Sequence, residues 1–150
     1  MFLAQILWES DGLKAKEDYA CKDTGCPGQY VSPNDNGKRY FGRGYIQLTW
    51  YDNYAAASKD LYGDDRLVKN PEMVAKDEDV AWATALWYWK SRVHAQVQGG
   101  EFGKSTKAIN GALECSGGAT DKPKKRFEIY KKVMVAFGIT EAPIERGCYN

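Results

Sequence analysis

Three carboxylate residues near the start of the chain have types and a spacing that suit acid–base chemistry. Glu9 ends a predicted helix, and Glu17 and Asp18 follow it in the next segment. Cleavage of a glycosidic bond uses two such groups, one to protonate the leaving oxygen and one to activate water. On an unbroken helix Glu9 and Glu17 would lie about 12 Å apart, beyond the roughly 6.5–9.5 Å of an inverting pair. The pair therefore requires that Asp11-Gly12 end the helix; otherwise these are ordinary solvated charges.

The stretch from Lys38 to Trp50 is a second candidate for chemistry. It places aromatic, amide, hydroxyl and guanidinium groups around two glycines. Flat rings beside convergent polar groups suit a sugar ring, which has apolar faces and a hydroxylated rim. The rest of the chain has no Gly-rich phosphate loop and no cluster of metal ligands. Its one histidine, His94, has no nucleophile paired with it and is expected in a loop.

Composition excludes several other classes of protein. With 150 residues, the chain is long enough for one domain, 1–150, that buries most of its apolar surface. A net charge of +1 lacks the basic excess of a nucleic-acid-binding protein. No apolar run approaches the roughly 18 residues of a membrane span. Neither nucleic acid nor membrane is therefore an expected partner.

The cysteines Cys21, Cys26, Cys115 and Cys148 form an even set with uneven spacing. A zinc site usually contains two close pairs, whereas only the first two of these cysteines are close. The favoured interpretation is two disulfides, Cys21–Cys26 and Cys115–Cys148, and an oxidising extracellular compartment.

The elements that must position these groups are mainly helices. The sequence contains no internal repeat. Its spacing of apolar residues, glycines and prolines predicts only one weak strand, at Tyr45–Gln47. Trp82, Trp87 and Trp89 are expected in the core. A long loop is predicted over Cys21–Lys38 and another over Gly117–Pro123. The predicted helices cover Phe2–Trp8, Tyr51–Leu61, Glu78–Ser91, Phe102–Gly111 with an interruption near Asn110-Gly111, and Lys124–Phe137.

Six segments in collinear order resemble the catalytic domain of family 19 chitinases. They are spread over most of the length of the chain, between residues 2 and 131: Phe2–Leu13, Arg39–Trp50, Asn70–Ala75, Thr84–Trp89, Ile109–Cys115 and Arg126–Lys131. The resemblance implies a mainly α, lysozyme-like, two-lobed helical domain with a substrate cleft. It also implies endo-acting, inverting hydrolysis of β-1,4-linked N-acetylglucosamine in chitin or chitooligosaccharides. No metal or organic cofactor is implied, and a secreted monomer is expected.

The same resemblance implies roles for individual residues. Glu9 matches the general acid. The register of the family places the base at Asp18, while the residue type favours Glu17, and both stay open. Thr49 would hold the attacking water. Arg43 would either support the carboxylates or pack structurally. The implied substrate-binding set is Tyr40, Gln47, Asn53, Asn110 and Arg126, with Arg126 in a charged network that supports the catalytic carboxylates. The two disulfides follow from the resemblance as well.

Two departures from the family pattern keep other functions open. Trp8 stands where the family has a histidine directly before the acid, and an indole cannot accept a proton. Family members usually carry some tens of residues before the first matching helix, and such a segment is expected to be missing here, by truncation or by natural shortening. A chitin-binding or defence protein without turnover, and a peptidoglycan hydrolase like phage endolysins, are therefore the alternatives to a chitinase.

Overall fold

Helices joined by long turns build the protein in the computed structural model, which describes residues 1–118 and 120–150. A π-helical turn at Trp89–Val93 and a 3-10 turn at His94–Val97 follow the fifth α-helix. His94 therefore lies in a helical turn rather than the predicted loop. The α-helices are α1 (Phe2–Glu9), α2 (Tyr51–Tyr62), α3 (Arg66–Lys69), α4 (Met73–Lys76), α5 (Glu78–Tyr88), α6 (Phe102–Glu114) and α7 (Asp121–Ala136).

Within the described residues, β structure is limited to isolated bridges, and the strand predicted at Tyr45–Gln47 is wrong. Arg43 and Leu48 exchange two backbone hydrogen bonds, of 3.1 and 2.8 Å, and the residues between them form a turn. Gly44 and Gln47 take left-handed φ angles of 74° and 56°, which end the extended pairing after one residue pair. The mainly α prediction is confirmed.

The chain divides into two compact units, one formed by Met1–Trp8 with Trp89–Asn150 and the other by Glu9–Tyr88. In the first unit, α1, α6 and α7 supply a core of Ala4, Phe102, Tyr130 and Met134. The rings of Phe102 and Tyr130 stack with their centroids 4.6 Å apart. Phe127 and Val133 pack against this core from one face of α7.

The second unit contains α2 to α5 and the long turns before them. Leu67 and Val74 are fully buried, and the buried Ser58 hydroxyl accepts a hydrogen bond from the Leu67 amide. Helix α2 ends where Gly63 adopts a left-handed conformation and its amide bonds to the Lys59 carbonyl. A glycine favours such an ending because it has no Cβ to clash there.

Three helix boundaries differ by three residues from the sequence-based expectation, and the first is the end of α5, which stops at Tyr88 instead of Ser91 because a π-helical turn follows. Helix α7 begins at Asp121, inside the predicted loop Gly117–Pro123, of which residue 119 lies outside the described residues. Proline is tolerated at position 123 because an amide in the first helical turn has no partner within the helix. Helix α6 continues to Glu114, with the predicted interruption present as non-helical angles at Asn110 (φ −145°, ψ 35°).

The predicted tryptophan core is only partly correct. Trp87 is buried, and its indole NH donates to Asp60 at 2.8 Å. Trp82 and Trp89 are half-buried instead. Trp82 packs against Tyr45, with 4.5 Å between ring centroids, and Trp89 meets Phe2 at 5.5 Å.

Both predicted disulfides are present, Cys21–Cys26 and Cys115–Cys148. The first lies in the long predicted loop, where the chain makes turns without a helix. The second joins the end of α6 to the C-terminal tail and so fixes a segment that has no helix of its own. Among the described helices, none has both the length and the apolar character required to cross a membrane.

Candidate active site

The first helix stops at Glu9, as an acid–base pair requires. The next residue, Ser10, is fully buried, and its hydroxyl accepts a hydrogen bond of 2.8 Å from the Leu13 amide. Asp11, Gly12 and Leu13 all have left-handed φ angles, between 48° and 69°. Three such residues in succession cannot continue a right-handed helix. The chain therefore turns away directly after the half-buried Glu9.

Glu17 lies on a short extended segment that pairs with the glycine-flanked Arg43. Its neighbours complete this pairing, since the Gly44 amide donates to Lys16 O and the Asp18 amide to Gly42 O, each at 2.8 Å. This pairing fixes the backbone of Glu17. Its side chain is 37% exposed, so the carboxylate is open to solvent. This combination suits a group that must meet both water and a substrate.

Asp18 has a different environment from its neighbour. One carboxylate oxygen accepts a 2.8 Å hydrogen bond from the Ala20 amide. Its backbone carbonyl accepts bonds from the amides of Cys21 and Lys22. This arrangement is an Asx-type turn, in which the side chain substitutes for a backbone acceptor. Asp18 therefore shapes the entrance to the first disulfide loop.

Arg43 both packs in the interior and faces a candidate catalytic group. It is 6% exposed, and its guanidinium lies over the Phe41 ring at 3.7 Å. One terminal nitrogen donates to Arg39 O at 2.9 Å and to the Tyr54 hydroxyl at 3.1 Å. Its Nε lies 3.9 Å from a Glu17 carboxylate oxygen. The guanidinium thus packs in the interior, and its support of the carboxylates stays a prediction.

Gln47, Thr49 and Asn53 form a connected series of hydrogen bonds. The Gln47 amide nitrogen donates to Gly44 O at 3.0 Å, and the Asn53 amide nitrogen donates to Thr49 O at 2.8 Å. The Thr49 hydroxyl donates to Gln47 O at 2.7 Å. Since a hydroxyl has one hydrogen, Thr49 Oγ1 offers only lone pairs to any further partner. These half-buried side chains are thereby fixed on one turn.

In the other unit, a buried polar network surrounds Arg126. The guanidinium makes two hydrogen bonds to the Glu114 carboxylate, of 2.8 and 2.7 Å, and one of 2.8 Å to the Gln5 side-chain oxygen. Gln5 in turn donates to the hydroxyls of Ser105 and Thr106. Burial alone raises the pKa of the Glu114 carboxyl, but the bonds and charge of Arg126 bring it below its usual range. The network joins α1, α6 and α7.

Asn110 and Trp8 lie at the margins of this network. The Asn110 amide nitrogen donates to Glu114 at 2.8 Å, which leaves its carbonyl oxygen as an acceptor for another partner. The Trp8 ring centroid lies 5.4 Å from the Arg126 guanidinium carbon, within the range of a cation–π contact. The residue directly before Glu9 thus packs against a fixed cation.

Two members of the predicted substrate-binding set cannot touch a substrate. Tyr40 is fully buried, between the rings of Tyr51 and Tyr54, and its hydroxyl donates to Val68 O at 2.9 Å. Burial also raises the pKa of that hydroxyl. Arg126 is 1% exposed and has its charge neutralised by Glu114. Direct binding by Tyr40 is therefore wrong, because an aromatic residue type does not reveal its burial. Arg126 lies in a charged network, as the resemblance implies, and its guanidinium is out of reach of a substrate.

Sequence reasoning missed three residues that hold these segments in place. Gln5 and Glu114 belong to the Arg126 network. A sequence signal exists for both. Gln5 is the one amide in an otherwise apolar helix, and Glu114 lies four residues after Asn110, which is one helical turn. Glu78 joins Lys16 at 2.7 Å and the Tyr45 hydroxyl at 2.5 Å, and these bonds lower the pKa of its carboxyl. Through its bond to Lys16, Glu78 restrains the segment that carries Glu17.

No group of His, Cys, Asp and Glu side chains suited to holding a metal ion occurs among residues 1–118 and 120–150. Acidic, amide and hydroxyl side chains in fixed positions are instead the groups available for chemistry.

Comparison with known proteins identifies the family that shares these features. The family model described as chitinase class I matches residues 9–100. Acidic endochitinase SP2 of Beta vulgaris is 47% identical over 103 residues, which are 69% of this chain and 35% of that protein. Endochitinase At2g43610 of Arabidopsis thaliana is 38% identical over 143 residues, 92% of this chain and 47% of that protein. The chain thus spans less than half the length of these two relatives.

Solved structures give the same result for the fold. Chitinase C from Streptomyces griseus superposes with a TM-score of 0.83 and 33% identity, covering 95% of this chain and 72% of that one. A class IV family GH19 chitinase from Zea mays gives a TM-score of 0.76 and 26% identity, with coverage of 95% and 69%. The fold is therefore the lysozyme-like helical fold of these enzymes. From the matched residues and these superpositions together, the chain belongs to the chitinases of glycoside hydrolase family 19.

Proposed function

We propose that residues 1–150 act as one catalytic domain, a glycoside hydrolase that cleaves β-1,4 linkages of chitin internally and with inversion. The observation that carries this proposal is the family match from residue 9 to residue 100, which includes Glu9, Glu17, Gln47, Thr49 and Asn53. The endochitinase names of the two plant relatives support the same activity. The substrate is chitin or a chitooligosaccharide, the protein is a secreted monomer, and no cofactor takes part.

Glu9 is the general acid in this proposal. Its position on the last residue of α1, followed by three left-handed residues, places its carboxyl at the end of a rigid element. The Arg126 network supports α1 by binding Gln5 directly and by packing on Trp8. A fixed acid can donate a proton to the leaving oxygen without first reorganising.

Glu17 is the general base rather than Asp18. Its exposed carboxylate is free of the turn that engages Asp18, and its backbone is paired with Arg43. In an inverting reaction the base removes a proton from a water that attacks the sugar from the opposite face. The Nε of the buried Arg43 lies 3.9 Å from one Glu17 oxygen, which places a fixed cation beside the carboxylate that takes up this proton.

Thr49 orients the attacking water, and three amide side chains bind the sugar. The Thr49 hydroxyl hydrogen is donated to Gln47 O, so the hydroxyl oxygen can only accept a hydrogen bond from the water. The lone pair of that water is then free to attack the sugar. Gln47, Asn53 and Asn110 each donate one hydrogen bond within the protein, and their carbonyl oxygens suit sugar hydroxyl or acetamido N–H groups.

Hydrolysis of a chitin hexamer by the unmodified chain and by Glu9→Gln tests the proposal. Products should appear with the unmodified chain, and Glu9→Gln should be slower by about a hundred- to ten-thousand-fold, since general acid catalysis contributes that much. Gln keeps the size of Glu, so equal melting temperatures show that the fold is unchanged. A folded chain that binds the hexamer without cleaving it would support the chitin-binding alternative. Cleavage of peptidoglycan alone would support the endolysin-like one.

A further inference from the structure

Trp50 combines an exposed aromatic ring with a strained backbone. It is 56% exposed, and its φ and ψ of 75° and 140° lie in a region that L-residues rarely adopt. Both features reduce the stability of the folded state. The exposed ring leaves apolar surface in water, and the backbone conformation is one that glycine adopts more easily than tryptophan. Strain of this kind is concentrated at ligand-binding sites. Trp50 directly follows Thr49, in the turn that carries the amide series.

The backbone of Trp50 is fixed on both sides. Its amide donates to Tyr40 O at 2.7 Å, and its carbonyl accepts bonds from the amides of Asn53 and Tyr54, at 3.1 and 3.2 Å. Tyr40 is itself fully buried. The direction in which the indole leaves the chain is therefore set by the core and not by the ring's own contacts.

A second ring supports the indole. The Tyr30 centroid lies 5.0 Å from that of Trp50 with 53° between the planes, and Tyr30 also has a left-handed φ of 53°. Tyr30 packs against the cluster of Cys21, Cys26 and Phe41. The disulfide loop thus holds one ring, which in turn holds the next. Two bulky residues with unfavourable backbone angles meet at one solvent-facing position.

We propose that Trp50, backed by Tyr30, is a sugar-stacking subsite for one N-acetylglucosamine ring of a chitin chain. The apolar face of a pyranose fits the exposed indole, and the hydrogen-bonding groups of Gln47 and Thr49 precede it on the same turn. The inference rests on the proposed function for the identity of the sugar. It adds a binding residue that takes no part in proton transfer.

Substitution by glycine separates binding from folding at this position. Trp50→Gly removes the ring and relieves the backbone strain, whereas Trp50→Ala removes the ring and keeps the strain. Trp50→Phe keeps an aromatic face. Leu86→Ala is the matched control, because Leu86 is 55% exposed and belongs to α5 in the same unit. Melting temperatures of all variants report on the fold.

Binding to chitin beads on ice, measured by depletion of the protein, gives the affinity without depending on turnover. Trp50→Ala and Trp50→Gly should bind about tenfold more weakly, which is the loss of one aromatic contact of roughly 1.4 kcal/mol. Trp50→Phe should stay within about threefold of the unmodified chain, and Leu86→Ala should match it. Trp50→Gly should melt no lower than Trp50→Ala. Unchanged binding by a folded Trp50→Gly would overturn the proposal.

Tryptophan fluorescence supplies a second test that needs no destabilised variant. Chitohexaose should shift the emission of the unmodified chain, and most of the shift should be lost in Trp50→Phe. An equal shift in both would overturn the subsite.

A separate assay of hexamer cleavage by the unmodified chain tests the proposed function. No cleavage together with weaker binding by Trp50→Ala would refute the enzyme and keep the subsite, and the reverse pattern would refute the subsite alone.

Discussion

Glu17 and Asp18 are adjacent in the chain, but their carboxylates have different surroundings. The Asp18 oxygen is bonded to the Ala20 amide and stabilises a turn. The Glu17 carboxylate is more than a third exposed and faces the buried Arg43. Because one Asp18 oxygen is already bonded to the backbone, Glu17 is the less restrained of the two carboxylates.

Glu17→Gln should therefore lower kcat on a chitin hexamer by about a hundred-fold or more, because the amide cannot accept the water proton. Asp18→Asn should stay within roughly tenfold of the unmodified chain, since the Asn oxygen still accepts the Ala20 N–H. Initial rates at saturating substrate give the comparison. A larger loss in Asp18→Asn than in Glu17→Gln would assign the base to Asp18.

Glu114 makes the stability of the fold depend on pH. Its pKa in the folded state lies below the usual value of 4.5, so the unfolded chain binds its proton more tightly than the folded one. The stabilisation is complete above pH 4.5 and is lost as the pH falls towards the folded-state pKa. The melting temperature of the unmodified chain should accordingly decrease between pH 5 and pH 3.

Glu114→Gln provides the control for this pH dependence. It should be less stable at pH 7 by about 3–5 kcal/mol, because the Arg126 charge stays buried without its partner. Its further decrease between pH 5 and pH 3 should be smaller than that of the unmodified chain. Equal decreases in the melting temperatures of the two proteins would show that other carboxylates cause the loss of stability below pH 5.

Residue types did not predict exposure. Gln47, Thr49 and Asn53, which the resemblance singled out, form one connected series of hydrogen bonds. Tyr40 and Arg126 have suitable types for a binding site but are buried by residues distant in the chain. That burial results from packing of whole elements, and a local sequence pattern does not contain it.

At the scale of elements, the start of α6 depends on one close backbone approach. The Gly103 amide donates to Glu145 O at 2.9 Å, and a Cβ on Gly103 would collide with the carbonyl oxygens of Glu145 and Arg146. The tail after α7 can lie against α6 only because no side chain stands between them.

Gly103→Ala should reduce the free energy of unfolding by about 1–3 kcal/mol, since the colliding atoms are backbone and cannot rotate away. Denaturant unfolding measures the change. Gly99→Ala is the control, because a Cβ there has its nearest neighbour, a Glu101 carboxylate oxygen, at an ordinary 3.5 Å. A Gly103→Ala variant as stable as Gly99→Ala would mean that the tail is not held this closely.

Helix ends were predictable where local chemistry determines them. Gly63 ends α2 two residues after its last predicted position, and the break after Glu9 is where Asp11-Gly12 requires it. The early start of α7 was not visible, since Pro123 is equally compatible with a loop and with a first helical turn. The turn at Tyr45–Gln47 looked like a strand because its left-handed Gln47 is not a glycine.

For the whole molecule, the pairing of cysteines and the mainly helical fold followed from the sequence. Cys115 and Cys148 are 33 residues apart, and their bond fixes the tail whose backbone meets Gly103. The resemblance implied a two-lobed domain, but the bounds of the two compact units were not predictable, since α1 contributes to one unit and its last residue to the other. Such a division depends on contacts between the two ends of the chain.

Glu9 and Glu17 are proposed to cleave chitin by a single displacement with inversion. The most direct measurement is NMR of the anomeric protons during the first minutes of chitin hexamer hydrolysis, before mutarotation. Inversion at a β-linkage predicts that the new reducing ends appear first as the α-anomer. First appearance of the β-anomer would contradict the account, since it requires retention and a different role for the second carboxylate.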